Sequence, residues 1–254
     1  MEEVRSKLER ARKAYNDKGY TIISGLFSRD VHHLRSECDR ITTAASTSSR
    51  KRRREDAEVL VSRSGCIFEV LKVAHGDDGA TRRMRNADEL AVDRASGPIL
   101  SKRVADILTS KSLLDCVKSI LNCDDLYYFN EQYIVKPPLS SDSAFRWHRD
   151  SDWCVDDSNV TYVRYCSLWV PLDDVSEENG TLFASSRDEM EEGRGEGVPI
   201  VANAGDCVIM SDRMLHRSCG NMSADQRRVW MPQFSCGPIL WKKNEEPVSF
   251  AIKM

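Results

Sequence analysis

The chain has 254 residues, 41% of them hydrophobic, which is enough for a sizeable core and within the reach of one large all-β domain. With 37 Lys and Arg against 40 Asp and Glu, the net charge is −3 and the pI about 6.0, so no overall field draws the protein to nucleic acid or to an anionic membrane. No apolar run approaches the roughly 18–20 residues that span a bilayer, and nine irregularly spaced cysteines without a Cys-x-x-Cys argue for reduced thiols in an intracellular compartment, not a disulfide framework or zinc site.

Met1 to Arg5 reads as a charged helix start, not a secretory signal. Val4, Leu8, Ala11 and Tyr15 recur at helical spacing over residues 2–17, and Gly19 is placed to cap that helix. Residues 20–24 alternate as a short strand. Ser28 is then expected to N-cap a helix through Val31, Leu34, Cys38 and Ile41. At about residues 42–58 the composition shifts to small polar residues followed by Arg50-Lys51-Arg52-Arg53-Arg54, which predicts a mobile basic loop. That run matches a short nuclear-import address as well as a plain solvated linker, and the cytoplasm is the default compartment; the C-terminal Ala251-Ile252-Lys253-Met254 does not match a peroxisomal address.

Residues 67–73 read as a strand, 75–79 as a turn, and 99–109 and 112–121 as two helices. From Tyr127 onward short β-rich runs alternate with turn signals such as Asn179-Gly180 and Ala204-Gly205-Asp206. Helices feeding a run of strands predict a two-sheet jelly roll buttressed by N-terminal helices, built as a single domain over 1–254.

The chemistry lies in Trp147-His148-Arg149-Asp150. On a strand, residues two apart share a face, so His148 and Asp150 converge on one point. Met214-Leu215-His216-Arg217-Ser218 supplies a second isolated histidine. Two histidines and one carboxylate form the facial set that holds Fe(II) and leaves positions open. A His-x-Asp alone is more often a packed histidine beside a turn aspartate, so the surrounding motifs decide. In chain order these are Gln132-Tyr133-Ile134-Val135-Lys136-Pro137-Pro138, Trp147-His148-Arg149-Asp150-Ser151, Leu168-Trp169-Val170-Pro171-Leu172-Asp173-Asp174, Glu178-Asn179-Gly180-Thr181-Leu182, Gly205-Asp206, and His216-Arg217-Ser218 with Arg227 eleven residues on.

This series resembles the phytanoyl-CoA dioxygenase-like (PhyH) family of Fe(II)/2-oxoglutarate oxygenases. The resemblance implies a mainly β fold with flanking helices, the double-stranded β-helix of cupin type. It also implies Fe(II) held by His148, Asp150 and His216, with 2-oxoglutarate as cosubstrate and O₂ as oxidant. Arg227 corresponds to the residue that grips the distal carboxylate of 2-oxoglutarate, for which a rigid guanidinium fork suits better than an ammonium. Arg228, its neighbour on the strand, must face the other way and is expected as a surface charge. Ser218, on the face of His216, is a candidate for a further hydrogen bond to the cosubstrate. Trp169 and Gln132 stand where relatives contact it, although a tryptophan in a β core is most often simply packing. The sequence departs from many relatives after Asn179-Gly180, where it reads Leu182 to Asp188 without their Pro-Gly-Ser-His turn.

Trp147, Trp153, Tyr162 and Arg164 are candidates for the mouth of the site, with Arg146 and Arg164 as charges that would meet an anionic substrate. The expected function is hydroxylation of a small organic substrate with release of succinate and CO₂. Asp150 occupies the position that a halide would need, which disfavours halogenation. The alternative is a catalytically silent barrel that binds 2-oxoglutarate or a partner as a sensor or scaffold; fold alone does not separate the two. No motif marks a nucleic-acid site, and oligomeric state is not encoded in any pattern.

Overall fold

The structure, a computed structural model, describes residues 2–47, 57–61, 67–71, 85–86, 102–185, 195–248 and 251–254. In chain order the elements are α1 (Glu2–Lys18), β1 (Tyr20–Ile23), α2 (Val31–Thr47), β2 (Ala57–Val61), β3 (Ile67–Leu71), β4 (Arg85–Asn86), α3 (Lys102–Leu108) and α4 (Lys111–Leu121). The strands β5 (Tyr127–Lys136), β6 (Phe145–His148), β7 (Val160–Thr161), β8 (Tyr165–Pro171), β9 (Leu182–Ala184) and β10 (Val198–Ile200) follow. The chain ends with β11 (Cys207–Ser211), β12 (His216–Ser218), β13 (Arg227–Ser235), β14 (Leu240–Trp241) and β15 (Ile252–Lys253).

The strands form a large sheet in the order β1-β11-β8-β13-β5-β15-β4, with β3 also paired to β5 and β2 to β3, and a smaller sheet in the order β10-β9-β12-β6. This is the jelly roll predicted from the pattern, with helices laid on one face. Alternation along the central strands sorts two cores. Tyr133 and Val135 of β5, Leu168 and Val170 of β8, and Trp230 and Phe234 of β13 pack against Ala11, Leu34, Val104, Leu113 and Val117 of the helices. The residues between them, Ile134, Trp169, Val229 and Met231, turn the other way and pack with Leu182 and Ala184 of the small sheet. A sheet covered on both faces reads as a nearly continuous apolar run, as Tyr165–Pro171 does. Any polar side chain on its inner face therefore needs a partner there.

Several boundaries differ from expectation. Helix α2 begins at Val31, three residues beyond the Ser28 expected to cap it. Residues 25–30 are instead a turn held from outside: Asp206 Oδ1 accepts from Gly25 N at 2.7 Å and Gly205 O from Phe27 N at 2.8 Å. At its other end α2 continues through Thr47, so residues 42–47 are helical and not part of the expected loop. Ala44 and Ala45, strong helix formers, carry it there. Residues 57–58 likewise belong to β2. The run Arg50 to Arg54 and the expected turn at 75–79 lie outside the described residues. No helix among the described residues is long and apolar enough to cross a membrane.

The turn Ala204-Gly205-Asp206 shows why glycine is needed there. Gly205 has φ +86°, and a Cβ on it would stand 2.8 Å from Ser28 Cα and 2.9 Å from Ser28 N, both backbone atoms. Gly205→Ala is therefore expected to destabilise the fold by about 1–3 kcal/mol, read as a lower denaturation midpoint in urea. An unchanged midpoint would show that the 25–30 turn does not depend on this contact.

Candidate metal centre

The small sheet brings the site together. His216 at the start of β12 lies directly opposite His148 at the end of β6. Their rings are 4.3 Å apart, and Asp150 follows β6 in the turn beyond it. Asp150 Oδ1 stands 3.5 Å from His216 Nε2 and 3.9 Å from His148 Nε2. One ligand atom from each of the three lies within 4.8 Å of the others, and this is the one such cluster among the described residues.

The ring nitrogens are sorted by their other partners. His148 Nδ1 is 2.7 Å from the carbonyl of Arg146, and His216 Nδ1 is 2.9 Å from the carbonyl of Met214. A carbonyl only accepts, so both Nδ1 atoms carry the proton and both Nε2 lone pairs face the cluster. Burial pushes the His216 imidazole down from its ordinary pKa, against the pull of Asp150, which favours the neutral, ligating form. Nitrogen, nitrogen and carboxylate donors aimed at one point from one side fit a divalent metal with open coordination positions.

Asp150 is held from behind. Its Oδ2 accepts from the Ser167 hydroxyl, which in turn accepts from Gln233 Nε2 at 2.8 Å, while Gln233 Oε1 accepts from Asn130 Nδ2 at 3.0 Å. This chain crosses β8, β13 and β5 on the inner face of the large sheet. The backbone of Asp150 is fixed as well, because Tyr165 donates its hydroxyl to the Asp150 carbonyl at 2.5 Å. Ser151 donates both its amide and its hydroxyl to the Asp212 carbonyl at 3.0 Å. Asp212 is itself buried, its carboxyl pushed up by that burial and hydrogen-bonded by Tyr162. The turn after β6, which carries Asp150, is thereby pinned to the turn before β12, which leads into His216.

The neighbouring arginines divide as the strand period requires. Arg227 is 1% exposed, donates to the Gly180 carbonyl at 2.9 Å and places its guanidinium 5.7 Å from the centre of the Trp169 ring. Arg228 faces the other way but is not the surface charge expected: its side chain is 13% exposed, and Asp173, just beyond β8, and Asp39 of α2 bind it at 2.7 and 2.8 Å and raise its already high pKa. Ser218 is buried, and its hydroxyl accepts from Lys136 Nζ at 2.8 Å. Gln132 is half-buried on the same strand, opposite Met231.

Not every candidate for the mouth is there. Arg164 reaches away, donating to the carbonyls of Leu121 and Asn122 at the C-terminal end of α4. Trp147 lies on the outer face of the small sheet, where Arg217 stacks on it at 5.4 Å and on Phe183 at 4.2 Å. Trp153 and Tyr162 remain beside the metal turn: Trp153 Nε1 donates to the Tyr165 hydroxyl at 3.2 Å. Ser167, Gln233, Asn130 and Lys136 were absent from the expected set. Their signal was a polar residue at an inward position of an otherwise apolar strand, and reading it requires the strand register.

A model of the phytanoyl-CoA dioxygenase (PhyH) family matches residues 15–229. The chain belongs to that family. Solved structures of similar fold include SnoK, a non-heme alpha-ketoglutarate-dependent carbocyclase from nogalamycin biosynthesis, with a TM-score of 0.64 at 13% identity over 95% of this chain and 93% of that one. The epimerase SnoN in complex with Fe3+, alpha-ketoglutarate and nogalamycin RO aligns with a TM-score of 0.62 at 13% identity, over 98% of this chain and 96% of that one. EvdO2 from Micromonospora carbonacea var. aurantiaca, complexed with 2-oxoglutarate, gives 0.55 at 19% identity, with 94% of each chain covered. Comparison with curated proteins gave no match. For this PhyH-family chain, the likenesses establish the jelly-roll fold.

Because Ser167 fixes one oxygen of Asp150, Ser167→Ala should weaken divalent-metal affinity by about 10- to 100-fold. Competition with a chromogenic chelator measures this. An affinity equal to that of the unaltered protein would mean that the chain of side chains behind Asp150 has no part in holding it.

Proposed function

We propose that this protein is an Fe(II)- and 2-oxoglutarate-dependent dioxygenase that hydroxylates a small organic substrate, releasing succinate and CO₂. The observation that carries this reading is the pairing of two sites. A His148–Asp150–His216 cluster with both Nε2 atoms turned inward lies on the small sheet, and the large-sheet strands that pack against that sheet carry a buried arginine, Arg227, seated against Trp169. Similar folds hold iron with alpha-ketoglutarate in SnoN and 2-oxoglutarate in EvdO2.

Bound Fe(II) would supply the oxidative chemistry on O₂ and 2-oxoglutarate, which no side chain of this protein can perform. The residues supply position. Arg227 offers a planar fork to the distal carboxylate of 2-oxoglutarate, at a depth where water does not compete. Ser218 lies on the inner side of β12 with His216 and adds a hydroxyl, Trp169 forms the wall beneath the guanidinium, and Gln132 occupies the inner wall of β5. Asp150, anchored by Ser167, keeps a carboxylate where a halide would otherwise sit, which favours transfer of oxygen to the substrate over halogenation.

The two histidines are unequally covered. The His216 side chain is 5% exposed and that of His148 is 38% exposed. Cosubstrate is therefore assigned to the covered side, toward Arg227, and substrate approaches past His148.

The direct test is succinate formation from 2-oxoglutarate by purified protein with Fe(II), together with the mass of the product made under ¹⁸O₂. Hydroxylation requires one heavy oxygen in the product. His148→Ala and His216→Ala should each abolish Fe(II)-dependent turnover. Arg227→Ala should cost roughly 3–5 kcal/mol of 2-oxoglutarate binding, the usual consequence of removing one side of a buried charge pair. Arg228→Ala should lower the melting temperature and leave the 2-oxoglutarate requirement near that of the parent. Succinate production at parental rates in either histidine variant would overturn the assignment, and a halogenated product would overturn the reaction type.

A further inference from the structure

Resting on the cosubstrate assignment above, we infer that Lys136 is a positioning residue of the 2-oxoglutarate pocket: it orients the Ser218 hydroxyl toward the distal carboxylate and so biases the pocket toward a dicarboxylate. Lys136 ends β5 and is the direct register partner of Arg227, which begins β13. Directly opposite residues of an antiparallel pair project to the same face, and both side chains are essentially inaccessible, at 0% and 1% exposure. Two cationic side chains thus stand together on the inner wall.

Both also meet at one turn. Arg227 Nη2 donates to the Gly180 carbonyl at 2.9 Å, and Lys136 Cδ lies 3.1 Å from where a Cβ on Gly180 would be, a position that Cys219 O crowds to 2.6 Å. Gly180, at φ +87°, is the residue that lets the two chains close around this point.

The ammonium binds outward from there. Lys136 Nζ donates to Ser218 Oγ at 2.8 Å and to the Cys219 carbonyl, and lies 5.3 Å over the Phe145 ring. An ammonium only donates, so Ser218 must accept from it and cannot give its own proton back. A hydroxyl that accepts from a cation is polarised into a stronger donor. Its O–H is thereby reserved for an acceptor on the other side, where the carboxylate gripped by Arg227 would lie. The Cys219 contact fixes the lysine itself, and the positive charge beside the guanidinium rewards an anion at that end of the ligand. Without Lys136 the serine rotor has no fixed direction.

The test uses the full chain loaded anaerobically with Fe(II), and compares the parent, Lys136→Met, Lys136→Arg, Ser218→Ala and the Lys136→Met/Ser218→Ala double variant. Calorimetric titration gives the Kd for 2-oxoglutarate and for 2-oxobutyrate, a 2-oxo acid without the distal carboxylate; chelator competition gives the Fe(II) affinity. Lys136→Met should weaken 2-oxoglutarate binding by about 10- to 100-fold, the scale of a hydrogen bond to a charged group. It should leave 2-oxobutyrate and Fe(II) binding within about twofold, while Lys136→Arg falls between Met and the parent. The double variant should be no weaker than Lys136→Met within about twofold, because coupled partners are not additive.

Parental 2-oxoglutarate affinity in Lys136→Met, equal losses for both 2-oxo acids, or multiplicative losses in the double variant would each overturn the inference. Should Lys136→Met fail to fold, Lys136→Arg decides alone by the same selective loss for 2-oxoglutarate, since a planar fork does not reproduce a tetrahedral donor. A parent chain that binds Fe(II) but no 2-oxoglutarate overturns the cosubstrate assignment itself, and with it this inference.

Discussion

His216 faces His148 across the antiparallel pair of β12 and β6, and the chemistry of the protein depends on that register. The side-chain period of a strand is two, so a slip of one residue would bring Arg217 in and send His216 out. The outer face of the same small sheet guards against the slip. Arg217 lies between Phe183, its register partner on β9, and Trp147, and donates to the Glu196 carbonyl at 2.9 Å. The cation and the two aromatic rings would lose this stacking if the strands shifted. The packing that fills one face thus fixes the ligands on the other.

The inner face of the large sheet is of two kinds. One part is apolar, with Ile134, Val208, Met210, Val229 and Met231 packed against Leu182 and Ala184. The other part is polar in a line: Asn130, Gln233, Ser167 and Asp150 pass hydrogen bonds from strand to strand toward the metal cluster. A buried polar chain is costly unless its members find partners, and when they do each member restricts the next. That restriction is useful behind a carboxylate ligand, which otherwise rotates freely and could present either oxygen. It places one oxygen of Asp150 against Ser167 and leaves the other facing the histidines.

Much of this was legible in the chain. Two histidines and an aspartate in an ordered series of motifs point to the trio, although Asp150 lies in the turn beyond β6 and not on the strand with His148, so the strand period does not account for its position. The opposite orientations of Arg227 and Arg228 followed from the strand period alone, and the structure gives them opposite surroundings, Gly180 and Trp169 for one, Asp39 and Asp173 for the other. What escaped depended on pairing. Lys136 reads as an ordinary strand-end lysine until Arg227 is known to stand opposite it. Ser167 and Gln233 look like ordinary polar residues until Ser167 is seen to hold Asp150 and Gln233 to hold Ser167. Local pattern misses the start of α2 for a similar reason, since Gly205 and Asp206, far along the chain, hold residues 25–30 in a turn that local propensity does not report. Arg164 is close in sequence to the strand of His148, yet its guanidinium closes the end of α4.

Of the two histidines His148 is the more exposed, and its surroundings form the rim of the cluster. Here the rim is tied to the metal turn. Trp153, 44% exposed, stacks on Phe129 with ring planes 9° apart, and its indole donates to the Tyr165 hydroxyl, which itself donates to the Asp150 carbonyl. An exposed tryptophan held by a parallel ring and a hydrogen bond has little freedom to rearrange. The exposed indole and the backbone of Asp150 are therefore linked through the single hydroxyl of Tyr165.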